Sequence, residues 1–117
     1  MFDIIAYISY PYSLDHKDTQ SIAAKGLGTT LAAFYKRNPT WACVNPLYSF
    51  HNNPYAEKGS PLETPTPAVL KGLIEVLMKS ATVHIVVRKP GWEYSDIVMA
   101  ECACANKFGI PTHYEDV

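Results

Sequence analysis

One acidic side chain lies in the middle of an apolar pattern near the end of the chain. Around Glu101, the residues Ile97, Cys104, Ala105 and Phe108 complete the spacing i, i+4, i+7, i+8 and i+11. This spacing predicts a helix with Glu101 on the face that packs against the rest of the protein. A buried carboxylate costs several kcal/mol unless it has a partner or a purpose. The alternative is that Glu101 lies at the edge of this apolar face and is partly exposed.

Ser95 lies at the start of the same predicted helix. It is either a plain N-cap or, with the free amides of the first turn, part of a site for an anion such as phosphate. Pro90, Gly91 and Trp92 precede it in a predicted turn that lets a ligand approach the backbone.

Hydroxyl and imidazole groups supply further candidates. Tyr7 and Ser9 point to the same side of a predicted first strand, and Tyr12 follows shortly after. Each tyrosine has the alternative of being packed in the core. His51, in a predicted loop, can move protons or bind anions, or it is a solvated surface histidine. We interpret His84, inside a strand, as a core histidine.

The elements that position these residues alternate along the chain. The pattern predicts strands at residues 3–8, 41–44, 82–87 and 112–115, and helices at 19–37, 68–79 and 95–108. In the second helix, one side is predicted to carry Val69, Leu73, Val76 and Leu77. Such alternation predicts an α/β domain, a parallel sheet with helices on both faces. Ligands bind such sheets beyond the carboxyl ends of the strands, here residues 9–13, 45–65 and 89–95.

Composition narrows the class of protein. With 117 residues, 48% of them hydrophobic and 18% charged, the chain predicts one compact domain. A formal net charge of −1 argues against binding a nucleic-acid polymer through a broad basic surface. No apolar run predicts a membrane span, and no signal peptide is recognisable. Three cysteines and four histidines lack metal-ligand spacing, so we expect neither a metal nor a cofactor. The odd number of cysteines, without the spacing of a disulfide framework, predicts a reducing cytoplasm.

Two segments resemble the nucleoside deoxyribosyltransferase-like superfamily, which includes nucleotide N-glycosidases. They are YISYPYS after the first strand and PGWEYSDIVMAECACANKFGIPTHY at the end. In particular, the chain resembles an uncharacterised bacterial and phage branch that carries a G-W-x-x-S turn. The resemblance implies a flavodoxin-like (Rossmann-like) three-layer sandwich of four to five parallel strands, assembled as a homo-oligomer.

The resemblance also implies roles for individual residues. Glu101 matches the nucleophile that attacks the sugar C1′ and displaces the base. Ser95, six residues earlier, matches the serine that contacts the 5′-phosphate in nucleotide hydrolases of this group. Tyr7 matches a tyrosine that hydrogen-bonds the catalytic glutamate. Tyr12 or Trp92 would stack on the base.

The chain departs from the family pattern at two points. Ile97 stands where the hydrolases commonly have glycine, and residues 80–82 supply no aspartate before the third strand. Asp96, Glu93 and His51 are the candidates for a second proton-transferring group.

From the matched residues we expect a hydrolase acting on a (deoxy)nucleoside 5′-monophosphate. The alternatives are base exchange between nucleosides and a nucleotide-binding module without turnover.

Overall fold

A four-stranded parallel sheet forms the centre of the protein. The structure, a computed structural model, describes residues 2–11, 17–46 and 67–116, with the backbone alone for 17–24 and 67. In chain order the strands are β1 (Ile4–Ser9), β2 (Trp41–Val44), β3 (Val83–Val87) and β4 (Thr112–Glu115). Across the sheet their order is β2-β1-β3-β4, so the apolar strands β1 and β3 are central.

Three helices in the described ranges cover the sheet, namely α1 (Lys17–Arg37), α2 (Pro67–Ser80) and α3 (Asp96–Lys107). The chain moves one way across the sheet from β1 to β2, and the other way from β2 to β3 and on to β4. Right-handed connections therefore place α1 on one face and α2 with α3 on the other. The predicted α/β class and flavodoxin-like (Rossmann-like) sandwich are confirmed, with four strands. None of these helices is long and apolar enough to cross a lipid bilayer.

The helix stripes explain how the layers pack. Helix α1 buries Leu27, Leu31 and Phe34, which are spaced at i, i+4 and i+7. In α2 the buried residues are Leu70, Ile74 and Met78. The prediction of which side of α2 packs inward is wrong in part, because Val69 and Val76 are 49% and 64% exposed. This helix is apolar on more than one side, so its periodicity alone does not fix which side faces the sheet.

Gly26 in α1 lies against the end of β1. A Cβ atom at this position would clash with the hydroxyl of Tyr10 and lie 3.2 Å from its Cζ. Tyr10 is 3% exposed, and its hydroxyl accepts a hydrogen bond of 2.8 Å from Lys89 Nζ. The tyrosine therefore has little room to withdraw.

We expect Gly26→Ala to destabilise the protein although alanine is the better helix former. The helix propensity gain is about 1 kcal/mol, whereas overpacking a filled core costs about 1–3 kcal/mol. The free energy of urea unfolding measures the balance.

Gly72→Ala in α2 is the matched control. No atom of the described residues lies within 4 Å of its Cβ position, so we expect a gain of about 0.5–1 kcal/mol. Adding Tyr10→Phe to Gly26→Ala should recover part of the loss because it removes the clashing hydroxyl. A gain from Gly26→Ala equal to that from Gly72→Ala would contradict the close packing.

Candidate active site

Four polar side chains meet in the layer between the sheet and α3. Strand β1 presents Tyr7 and Ser9 on the same face, because alternate residues of a strand point the same way. In the parallel register Tyr7 lies beside His84 of β3. Helix α3 adds Glu101 from above. Tyr7, Ser9 and His84 are fully buried, and Glu101 is 1% exposed.

Among the described residues, no group forms a hydrogen bond with either carboxyl oxygen of Glu101 or with the hydroxyl of Tyr7. Burial raises the pKa of Glu101 from 4.5 to about 8, and the nearby hydroxyls of Tyr7 and Ser9 lower it only in part. The group is therefore mostly protonated at neutral pH. Both oxygens remain available to a group that could enter from outside.

Tyr7 is a neutral phenol in this setting. Burial is the main cause that raises its pKa, and the neighbouring Glu101 raises the pKa further. The ring packs edge-on against His84 with 5.7 Å between ring centroids. A neutral phenol that cannot ionise serves as a hydrogen-bond donor to an ionised carboxylate.

His84 is a core histidine, as expected, but it is also bonded at both ring nitrogens. Its Nε2 lies 2.6 Å from Ser9 Oγ, and its Nδ1 lies 3.0 Å from Thr112 Oγ1 of β4. Burial lowers the pKa of His84 from 6.5 to about 4, so the ring is neutral. His84 and Thr112 were not among the sequence-based candidates. The available signal was a polar residue on each of three strands predicted to lie in one sheet.

Ser95 begins α3 as its N-cap. The backbone N–H of Val98 donates a hydrogen bond of 3.3 Å to Ser95 Oγ. This contact uses the oxygen as an acceptor, so the hydroxyl hydrogen can still be donated to another group. Ser95 is half-buried, and a helix rise of 1.5 Å per residue places it roughly 9 Å along the axis from Glu101.

The remaining candidates lie elsewhere. Trp92, in the 3₁₀ turn Trp92–Tyr94, packs its ring against that of Tyr114 of β4, with 5.6 Å between the ring centroids. Asp96 is exposed and lies about 140° around α3 from Glu101. Glu93 is exposed on the turn. The predicted positions of Tyr12 and His51 lie outside the described residues, as does most of the 45–65 loop.

A groove of about 700 Å³ lies between α2 and α3 and is lined by residues of both helices. It is lined mainly by apolar and small side chains, with Asp96 and Glu75 among the polar ones. Glu101 is not part of its lining, since it lies beneath α3. The structure therefore brings Tyr7, Ser9 and Glu101 together and leaves Asp96 on another surface.

The chemistry open to this cluster follows from its donors. Among the described residues, no three His, Cys, Asp or Glu side chains are grouped so that they could hold a metal ion. The cluster of Tyr7, Ser9, His84 and Glu101 provides one unpaired carboxyl, two hydroxyls and a neutral imidazole. Such a set suits nucleophilic attack by a carboxylate or proton transfer by the acid. In comparisons with known proteins, no family model, curated protein or solved structure matches this chain.

Proposed function

We propose that the protein hydrolyses the N-glycosidic bond of a (deoxy)nucleoside 5′-monophosphate, with Glu101 as the nucleophile. The observation that carries this proposal is the buried Glu101 carboxyl, whose two oxygens have no hydrogen-bond partner in the described part of the chain. Leaving such a group unpaired is costly, and active sites are where such costs are commonly retained. The resemblance of the terminal segment to nucleotide N-glycosidases supports the same role.

The reaction divides into two displacements. An oxygen of ionised Glu101 bonds to C1′ of the sugar while the C1′–N bond breaks, and the electron pair leaves with the base, which takes up a proton. Water then attacks C1′, loses a proton, and releases Glu101 as a carboxylate. Both transition states resemble an oxocarbenium ion, as in retaining glycosidases.

The first step needs Glu101 in its charged form. Donation from the Tyr7 hydroxyl would stabilise that form and align the oxygen with C1′. Because the pKa of Glu101 is raised to about 8, we expect kcat/KM for base release to rise with pH and to level off above about pH 8. A rate already constant from pH 5 upwards would contradict a nucleophile with this raised pKa.

Ser95 and the first turn of α3 would bind the phosphate. The hydroxyl hydrogen is still available for donation, and the N-terminal amides carry the positive end of the helix dipole. Half-burial at the helix start leaves the group within reach of a ligand.

Ser95→Ala separates this role from capping. If Ser95 binds phosphate, the variant should bind monophosphates about ten- to a hundredfold more weakly, the effect of losing about 1.5–3 kcal/mol of hydrogen bonding to a charged group. Titration calorimetry with a monophosphate and its parent nucleoside measures the difference. Equal losses for both ligands, with about 1 kcal/mol lower stability, would identify a cap alone.

Two other functions would give a different result in a product assay. A nucleotide-binding module without turnover is favoured by Ile97, which stands close to the sugar position implied by the resemblance, and by the lack of an aspartate before β3. Base exchange would use the same covalent intermediate with a second base in place of water.

Incubating the protein with a panel of ribo- and deoxynucleoside monophosphates decides between them. We expect free base and sugar phosphate in equal amounts. Binding without base release would overturn the hydrolase and favour the binding module. A new nucleotide formed only when a second base is added would favour exchange. From the resemblance we also propose a homo-oligomer, which sedimentation of the purified protein tests, and from the three cysteines a location in the reducing cytoplasm.

A further inference from the structure

A line of hydrogen-bonded polar groups, two buried and one half-buried, connects three strands of the sheet. Thr112 of β4, His84 of β3 and Ser9 of β1 are joined through both ring nitrogens of His84 at 3.0 and 2.6 Å. The Ser9 hydroxyl in turn acts on the carboxyl of Glu101 and favours its charged form. No hydrogen bond is closed between these last two groups in the structure, and one formed there would complete the line.

Counting hydrogens leaves two arrangements. A neutral imidazole has one N–H, so His84 donates at one nitrogen and accepts at the other. When Nε2 carries the hydrogen, it donates to Ser9, and the Ser9 hydroxyl is free to donate to an ionised Glu101. When Nδ1 carries it, His84 donates to Thr112 and accepts from Ser9. Ser9 then offers Glu101 only lone pairs, which suit a protonated carboxyl that donates.

We propose that His84 is a positioning residue whose tautomer is coupled to the charge of Glu101 through the Ser9 hydroxyl. The Nε2–H tautomer accompanies the carboxylate, and the Nδ1–H tautomer accompanies the protonated acid. Its importance for catalysis rests on the proposed function, because a nucleophilic Glu101 must be ionised. The coupling itself can be measured without any substrate.

The change between the two arrangements balances in protons. Starting from the carboxylate, Ser9 passes its hydrogen to Glu101, Nε2 passes its hydrogen to Ser9, and Thr112 passes its hydrogen to Nδ1. Thr112, which is half-buried at the β4 side of the sheet, takes up one proton from water. One proton enters at Thr112 and one is held on Glu101, so the line is also a route for protons to a buried group.

Few other ionisable groups act on this line from the elements packed around it. On α3 itself the thiols of Cys102 and Cys104 interact with Glu101. From β1 the phenol of Tyr7 does so. The other ionisable side chains of the elements around the line include Lys71, Glu75 and Lys79 on α2, Asp96 and Lys107 on α3, Glu93 on the 3₁₀ turn, and His113, Tyr114 and Glu115 on β4.

Nitrogen NMR of the histidine rings in the unliganded protein tests the coupling. As pH rises through about 8, we expect the protonated nitrogen of His84 to change from Nδ1 to Nε2. The midpoint of this change should coincide with the midpoint of the titration seen in the chemical shift of the Glu101 carboxyl carbon. In Glu101→Gln the tautomer should stay the same over this pH range.

Ser9→Ala is the matched variant, because it removes the connecting hydroxyl and leaves both titrating groups. There Glu101 should still titrate while the His84 tautomer no longer follows it. A tautomer that is constant with pH in the parent protein, or that still changes in Glu101→Gln, would overturn the proposal. Neither result depends on whether nucleotides are cleaved, which the product assay decides separately.

Discussion

Glu101→Gln is expected to remove base release, by on the order of 10⁴-fold or more, the scale on which removal of a covalent nucleophile acts. Glutamine has nearly the same shape as glutamate, but its neutral amide cannot form the bond to C1′. Since the site buries the carboxyl completely, the substitution keeps the packing and removes a buried acid. Nucleotide affinity should therefore change little, and only the chemical step should be lost. Chromatography of released base and calorimetry of nucleotide binding measure the two effects.

Glu75→Gln on α2 is the matched control, since it makes the same chemical change on the neighbouring helix outside the proposed site. It should release base at the parental rate. If Glu101→Gln also retained near-parental release, Glu101 would be structural and the nucleophile would lie elsewhere. If both variants lost nucleotide binding, the substitutions would be acting through the packing of α2 and α3.

Local patterns predicted the elements of this fold well. Every predicted strand and helix in the described ranges ends within two residues of its observed position. Apolar runs bounded by proline, glycine and polar residues were sufficient for this because they depend on neighbours along the chain. The side of α2 that faces the sheet was less predictable. Apolar residues on several sides of a helix are sorted only when the helix packs against a particular partner.

The candidate site divides along the same line. The apolar spacing of α3, a local pattern, pointed to a buried Glu101 and left a partly exposed one as the alternative, and the structure shows it buried. The pairing of His84 with Ser9 depends on the register of two strands that are 75 residues apart in sequence. Likewise, the contact of Trp92 with Tyr114 depends on how the 3₁₀ turn lies over β4. Such contacts are set by the assembled sheet, so no single segment of the chain indicates them.

Glu101 and His84, two buried titratable groups, together predict an unusual dependence of stability on pH. Folding raises the pKa of Glu101 from 4.5 to about 8 and lowers the pKa of His84 from 6.5 to about 4. Between pH 4.5 and 6.5 the folded protein holds one proton on Glu101, and the unfolded chain holds one on His84. The two states then bind equal numbers of protons, so the contribution of the pair to the free energy of unfolding is constant.

Above the ordinary pKa of histidine, 6.5, the unfolded chain has released its proton while the folded protein keeps one on Glu101 up to about pH 8. The folded state binds more protons, so the stability contributed by the pair falls as pH rises, by about 2 kcal/mol across this window. Urea unfolding at a series of pH values measures this decline.

Glu101→Gln isolates the contribution of the carboxyl to this profile. With only His84 left, stability should rise between pH 4.5 and 6.5, because the unfolded chain alone binds the proton, and it should be level from 6.5 to 8. The stability of the variant relative to the parent therefore grows by on the order of 4 kcal/mol from the lower to the upper pH. A difference that does not change with pH would mean that Glu101 ionises in the folded protein as it does in water. Other groups would then compensate the charged carboxyl for its burial, and Glu101 would no longer be the costly unpaired group from which the proposed function was inferred.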